Sequence, residues 1–119
     1  MTSSGDLTTR LAEAAKHAKA IPFLEVMLPT GSPQENKCHE NVEVWVQNHP
    51  EYSIVRGWLI VSSTIAKHSV TAAPDGVLFD ITPLRYRYKF FSHPGSEQEY
   101  QVLLSGGLSP LVQWGCEVQ

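Results

Sequence analysis

The sequence predicts an α+β domain, with N-terminal helices packed on a small antiparallel β-sheet. Three observations lead there. Apolar residues recur at helical spacing over residues 6–21 and 35–48; β-branched and aromatic runs take over from Tyr52; and Ala73-Pro74-Asp75-Gly76 reads as a tight hairpin turn between two such runs. The 119 residues suffice for a single domain, 1–119, with one modest core, and no internal repeat or low-complexity stretch divides them.

Residues 1–6 read as a flexible tail. From Asp6 to about Ile21 the spacing predicts a helix, with Leu7, Leu11, Ala14, Ala15 and Ala18 on one thin apolar stripe suited to close packing on a flat surface. Pro22 ends it. Phe23–Leu28 is a short apolar segment of undecided type, and Pro29–Pro33 is loop. A second helix is expected from about Glu35 to Asn48, stopping near His49-Pro50, because Ser32, Pro33 and Asn36 are residue types that begin helices and Val42, Trp45 and Val46 follow at helical spacing. Tyr52–Val61 reads as a strand, in which Gly57 marks a bulge or the close approach of another backbone. Ser62-Ser63-Thr64 is a turn, Ala66–Ala72 the next strand and Val77–Ile81 the returning one. Arg85–Phe91 alternates basic and aromatic residues, as an edge strand with outward charges would. Glu99–Leu104 is a last strand or short helix.

The formal net charge of -3 offers no general attraction to nucleic acid or to an anionic membrane, and no apolar run is long enough to cross a bilayer. Met1–Asp6 lacks the charged and apolar regions of a secretory signal, so a soluble cytoplasmic protein is expected. The two cysteines, Cys38 and Cys116, make no disulfide framework, and a reducing cytoplasm argues against a bridge between them. No Cys-x-x-Cys or His-x-x-x-His spacing appears, so neither a metal nor another cofactor is expected. Oligomeric state is left open.

The chemistry concentrates on Cys38. A thiol at a helix start feels the positive end of the helix dipole, which favours the thiolate. Downstream come His68 on one strand and Asp80 on the next. Cys, His and Asp suit a nucleophile, its base and the group that orients the base. Side chains change face at every strand residue, so His68 and Asp80 share a face only across an odd-numbered loop. They stand directly opposite if the turn centres on Pro74 and diagonal if a five-residue turn centres on Asp75. Asp80, between Phe79 and Ile81, needs a partner if buried, and His68 is the nearest candidate. Gln34, Asn36, His39 and Trp58 are candidate oxyanion or substrate-binding residues, although Trp58 reads more readily as core. Cys116 is expected to stand outside catalysis.

A cysteine opening a helix, then a histidine strand, then an aspartate strand resembles the core of papain-like and transglutaminase-like cysteine enzymes. Asp80-Ile81-Thr82-Pro83 is similar to the Asp-x-Thr segment of transglutaminase-like proteins. The resemblance covers about residues 34–83 and implies Cys38 as nucleophile, His68 as base and Asp80 as orienter. It departs from papain itself, whose Gln-Gly-x-Cys-Gly-Ser-Cys-Trp segment is replaced here by Lys37-Cys38-His39-Glu40. The expectation is a small cysteine hydrolase or acyltransferase acting on a small-molecule, peptide or protein amide, or on an ester or thioester. The alternative is a non-catalytic binding domain of the same fold that uses the basic-aromatic strand 85–91.

Overall fold

The computed structural model describes residues 6–105 and 112–114; Cys116 lies outside them. Among the described residues, three helices and one curled sheet alternate as α1 (Leu7–Ala15), β1 (Lys19–Ala20), α2 (Cys38–Asn48), β2 (Ser53–Val61), β3 (Thr64–Ala72), β4 (Leu78–Phe79), β5 (Lys89–Ser92), α3 (Glu97–Leu104) and β6 (Val112–Trp114). The strands run in the order β1-β5-β2-β3-β4, each antiparallel to its neighbour. The short β6 lies parallel to β3 at Ile65 and Ala66, on the opposite end of that strand from β4. The α+β expectation therefore holds.

Asp6 is not part of a tail. It caps α1, its carboxylate accepting from Thr8 N–H and from the Thr9 hydroxyl. The helix ends at Ala15, short of the expected Ile21, in a tightened turn where Lys16, His17 and Ala18 each donate to the carbonyl three residues back. Lys19 and Ala20 instead pair with Lys89 and Phe90, so tertiary pairing overrides the helical spacing of a segment that carries no strong breaker. The alanine stripe packs as its thinness implies: Leu11 is buried against Trp58, Phe91, Tyr100 and Leu103, with Leu7, Ala14, Ala15 and Ala18 beside it.

The second face of the sheet has its own core of Ile21, Leu59, Val70 and Phe90, covered not by a helix but by Leu84 and Tyr88. This corrects the reading of Arg85–Phe91 as one edge strand. Only Lys89 onward is extended, β5 lies between β1 and β2, and Phe90 and Phe91 are buried on opposite faces. Arg85–Tyr88 is the covering loop. Short β5 offers too few residues for an amphipathic face, and the sheet takes both of its aromatic rings.

β2 and β3 pair without a register shift from Ser53–Ala72 to Val61–Thr64, closed by Ser62 and Ser63, with Ser62 at the positive φ of 58° that such a hairpin needs. Gly57 therefore marks close approach rather than a bulge: a Cβ there would collide with the Phe91 carbonyl and the Phe90 ring.

Candidate functional site

The hairpin between β3 and β4 sets the geometry. Thr71 pairs with Phe79 and Ala72 with Leu78, and Ala73 N–H donates to Val77 C=O. The turn is thus centred on Asp75, the five-residue diagonal arrangement, with Gly76 at φ 89°. His68 and Asp80 fall on one face, that of Val70. His68 Nε2 lies 2.8 Å from Asp80 Oδ2, and both side chains are buried. An ionised carboxylate only accepts, so Nε2 carries the hydrogen, and in the neutral imidazole Nδ1 then keeps the lone pair. His68 Nδ1 is itself buried and has no hydrogen-bond partner among the described residues. Asp80 Oδ1 accepts from Thr82 N–H at 3.0 Å, and the Arg87 guanidinium stands 3.6 Å from Oδ2. On both sides the Asp80 backbone is tied to the Pro22–Leu24 segment: Asp80 N–H donates to Pro22 C=O and Leu24 N–H to Asp80 C=O. That segment of undecided type is thus a strap along Asp80.

The pair is braced from the helix side by Tyr100, which α3 delivers. Ser96 caps α3 by accepting from Glu99 N–H. The Tyr100 hydroxyl enters the β2–β3 ladder at the Gly57–His68 pair, accepting from His68 N–H at 3.1 Å and donating to Gly57 C=O at 2.7 Å. Burial holds the phenol well above its ordinary pKa, so it stays a neutral donor.

Cys38 is the first residue of α2 and fully buried. Lys37 precedes it and makes no side-chain cap, contrary to the expectation placed on Ser32 and Asn36; Asn36 instead takes φ 67°. The work of fixing this end passes to Asn41. Its Oδ1 accepts from Gln34 N–H, and its Nδ2 donates to Gln34 C=O and to the Thr82 hydroxyl. His39 Nδ1 shares a 2.7 Å hydrogen bond with Ser69 Oγ, which also accepts from Arg56 Nη1. Burial first, then the Arg56 charge, lowers the His39 imidazole to about 3, so it is neutral. The first turn of α2 is thereby stitched to Ser69, whose side chain shares the Arg56 and Trp58 face of the sheet opposite His68, and to Thr82, two residues beyond Asp80. Arg56 is itself almost buried and also pairs with Glu43 of α2 and Glu97 of α3.

The site residues foreseen from sequence separate accordingly. His68 and Asp80 are in direct contact, and Cys38 opens a helix tied to Ser69, Arg56 and Thr82. Cys38 is disulfide-bonded in this structure, against the expectation of a free thiol; the role expected for Cys116 falls outside the described residues. Gln34 serves through its backbone, and Asn36 is exposed. Trp58 does not belong to the site. It is buried in the core on the other face, with Nε1 donating to His93 Nδ1. Of the expected helix contacts, Val42 is fully buried, whereas Trp45 stacks on His49 with ring centroids 3.7 Å apart. Sequence reading passed over Asn41 and Tyr100. Asn41 carried a signal, a polar residue one turn after Cys38 on its buried face; Tyr100 carried none.

No helix among the described residues is long and apolar enough to cross a membrane, and none of their His, Cys, Asp and Glu clusters suits a metal ion. No family model, no curated protein and no solved structure matches the chain.

Proposed function

We propose that the reduced chain is a small cysteine hydrolase or acyltransferase of papain-like, transglutaminase-like architecture, acting in the cytoplasm on an amide, ester or thioester. The observation that carries this reading is the buried His68–Asp80 hydrogen bond, with Nε2 given to the carboxylate and Nδ1 left without a partner among the described residues. An unpaired buried imidazole nitrogen is costly and is the atom a base needs. The reading takes Nδ1 as the acceptor for the Cys38 thiol proton. The thiolate attacks the carbonyl carbon, and the oxyanion meets the uncapped amides at the start of α2. Collapse expels the amine, alcohol or thiol, which leaves with the proton from His68. Water or an amine, deprotonated by His68, then releases the acyl group from Cys38. Asp80 keeps the imidazole in the required tautomer.

The disulfide at Cys38 favours a second reading, a non-catalytic binding domain in which the bridge and the His68–Asp80 pair are structural. Iodoacetamide labelling of the reduced protein across pH decides between them. For the enzyme, Cys38 alkylates with an apparent pKa at least about one unit below the ordinary 8.5. His68→Ala raises that value, and Asp80→Asn slows labelling while leaving the fold intact. An ordinary titration at Cys38 in the reduced wild type, unmoved by His68→Ala, sinks the enzyme reading.

A further inference from the structure

We infer that the groove between the Pro22–Pro33 strap and the Ile81–Pro83 segment receives the apolar part of the substrate, and that this part carries no carboxylate. The inference rests on the proposed activity for the word substrate, but the groove is argued from its own walls. It encloses about 420 Å³ among Phe23, Val26, Met27 and Pro33 of the strap and Ile81 and Pro83 of the facing segment. That volume lies at the small end of the range for ligand pockets, about 300–1,000 Å³.

Three features distinguish it from an incidental crease. First, Phe23 and Met27 are left exposed at 45% and 66% on a strap whose backbone is tied to Asp80 at Pro22 and Leu24 and closed on itself at Leu28 and Gly31. A rigid backbone with bare apolar side chains is what a preformed site presents. Second, the groove borders the site. Phe23 pairs with Asp80 through a backbone bridge, and Pro33 and Pro83 are chain neighbours of Gln34 and Thr82, both hydrogen-bonded to the Asn41 amide one turn from Cys38. Third, its one titratable lining residue is Glu25, an exposed carboxylate with no ion pair among the described residues. The Arg87 cation nearby is spent on the Phe23 ring, 5.5 Å from its centroid, and on Asp80. An apolar channel with one acid favours a neutral or amine-bearing chain and rejects an anionic one.

The oxidised wild-type chain allows binding to be read apart from chemistry, because bridged Cys38 cannot react. Methyl ¹H–¹³C spectra are recorded with hexanamide, 6-aminohexanamide and the monoamide of adipic acid as probes. The expected result is saturable shifts confined to Val26, Met27 and Ile81, with the amine binding about threefold tighter and the carboxylate about threefold weaker than hexanamide, as one exposed charge allows. Glu25→Gln should erase that ranking, and Val26→Trp should weaken all three probes at least about fivefold by filling the groove. Shifts that fail to saturate, that map elsewhere, or that rank the carboxylate with the amine overturn the inference. None of these results depends on whether reduced Cys38 reacts, so failure here and failure of the cysteine-enzyme reading remain distinguishable.

Discussion

Removing one oxygen from Tyr100 tests how the histidine strand is held. Tyr100→Phe keeps the ring, which is fully buried between Trp58 and Leu103, so packing is preserved. What disappears is the hydroxyl that takes the His68 N–H and serves the Gly57 carbonyl. Two buried backbone groups then lack partners, at about 1–3 kcal/mol each. Against this, the mutant no longer buries a hydroxyl, which returns about 1–2 kcal/mol. The net loss is about 1–4 kcal/mol. With a urea m-value of about 2 kcal/mol/M, the unfolding midpoint should fall by about 0.5–2 M. Urea melts followed by tryptophan fluorescence measure it, and amide exchange at His68 should accelerate in step. A midpoint shift below about 0.3 M would refute the reasoning, because β2 and β3 would then have closed into a direct ladder bond without the hydroxyl.

Two further outcomes are expected. Gly57→Ala should destabilise by about 3 kcal/mol, at the upper end of overpacking effects, because its Cβ meets the backbone carbonyl of Phe91 as well as a ring, and a carbonyl in the ladder cannot swing aside; a thermal melt within two degrees of wild type would contradict this. The half-buried His39, its pKa lowered from 6.5 to about 3, binds a proton more readily unfolded than folded. Its stabilisation is therefore complete above about pH 6.5 and declines as pH falls toward 3, by up to about 1.4 kcal/mol per unit. Urea midpoints at pH 7, 5.5 and 4.5 should drop less in His39→Gln than in wild type, and equal slopes would rule out His39 as the sensor. Glu99, held down to about 2 chiefly by its hydrogen bond from Arg10, adds a separate loss that begins only below about pH 4.5.

Periodicity carried the main elements because each had one face to bury. The alternating strands around Gly57, the turn at Pro74–Gly76 and the helix opening at Cys38 were legible for that reason, and the need of Asp80 for a partner pointed to His68. The elements that misled were those decided by distant neighbours. Nothing local stops α1 at Ala15; β5 claims Lys19 and Ala20 through Phe90 and Lys89, far along the chain. The Arg85–Phe91 alternation described an edge strand, yet Phe90 and Phe91 are each buried, one on each face of an interior strand. Ser96 followed by Glu99 was a readable helix start, but the Glu99 carboxylate that would complete the reciprocal cap is taken by Arg10. Trp58 could be weighed as core from its strand, whereas the arrival of Tyr100 at the His68 backbone depends on how α3 crosses the sheet.

Arg56 gives the domain a mechanical property beyond its ion pairs. One nearly buried guanidinium grips Glu43 of α2, Glu97 of α3 and Ser69 of β3, and through Ser69 it reaches His39. Each grip is individually weak at exposed carboxylates. Together they mean that lifting either helix from the sheet unseats a charge the other helix is also using. The stretch from Cys38 to Asn48 and the stretch from Glu97 to Leu104, far apart along the chain, then open as one cooperative unit rather than fraying separately, and the Cys38 end of α2 inherits the protection of α3.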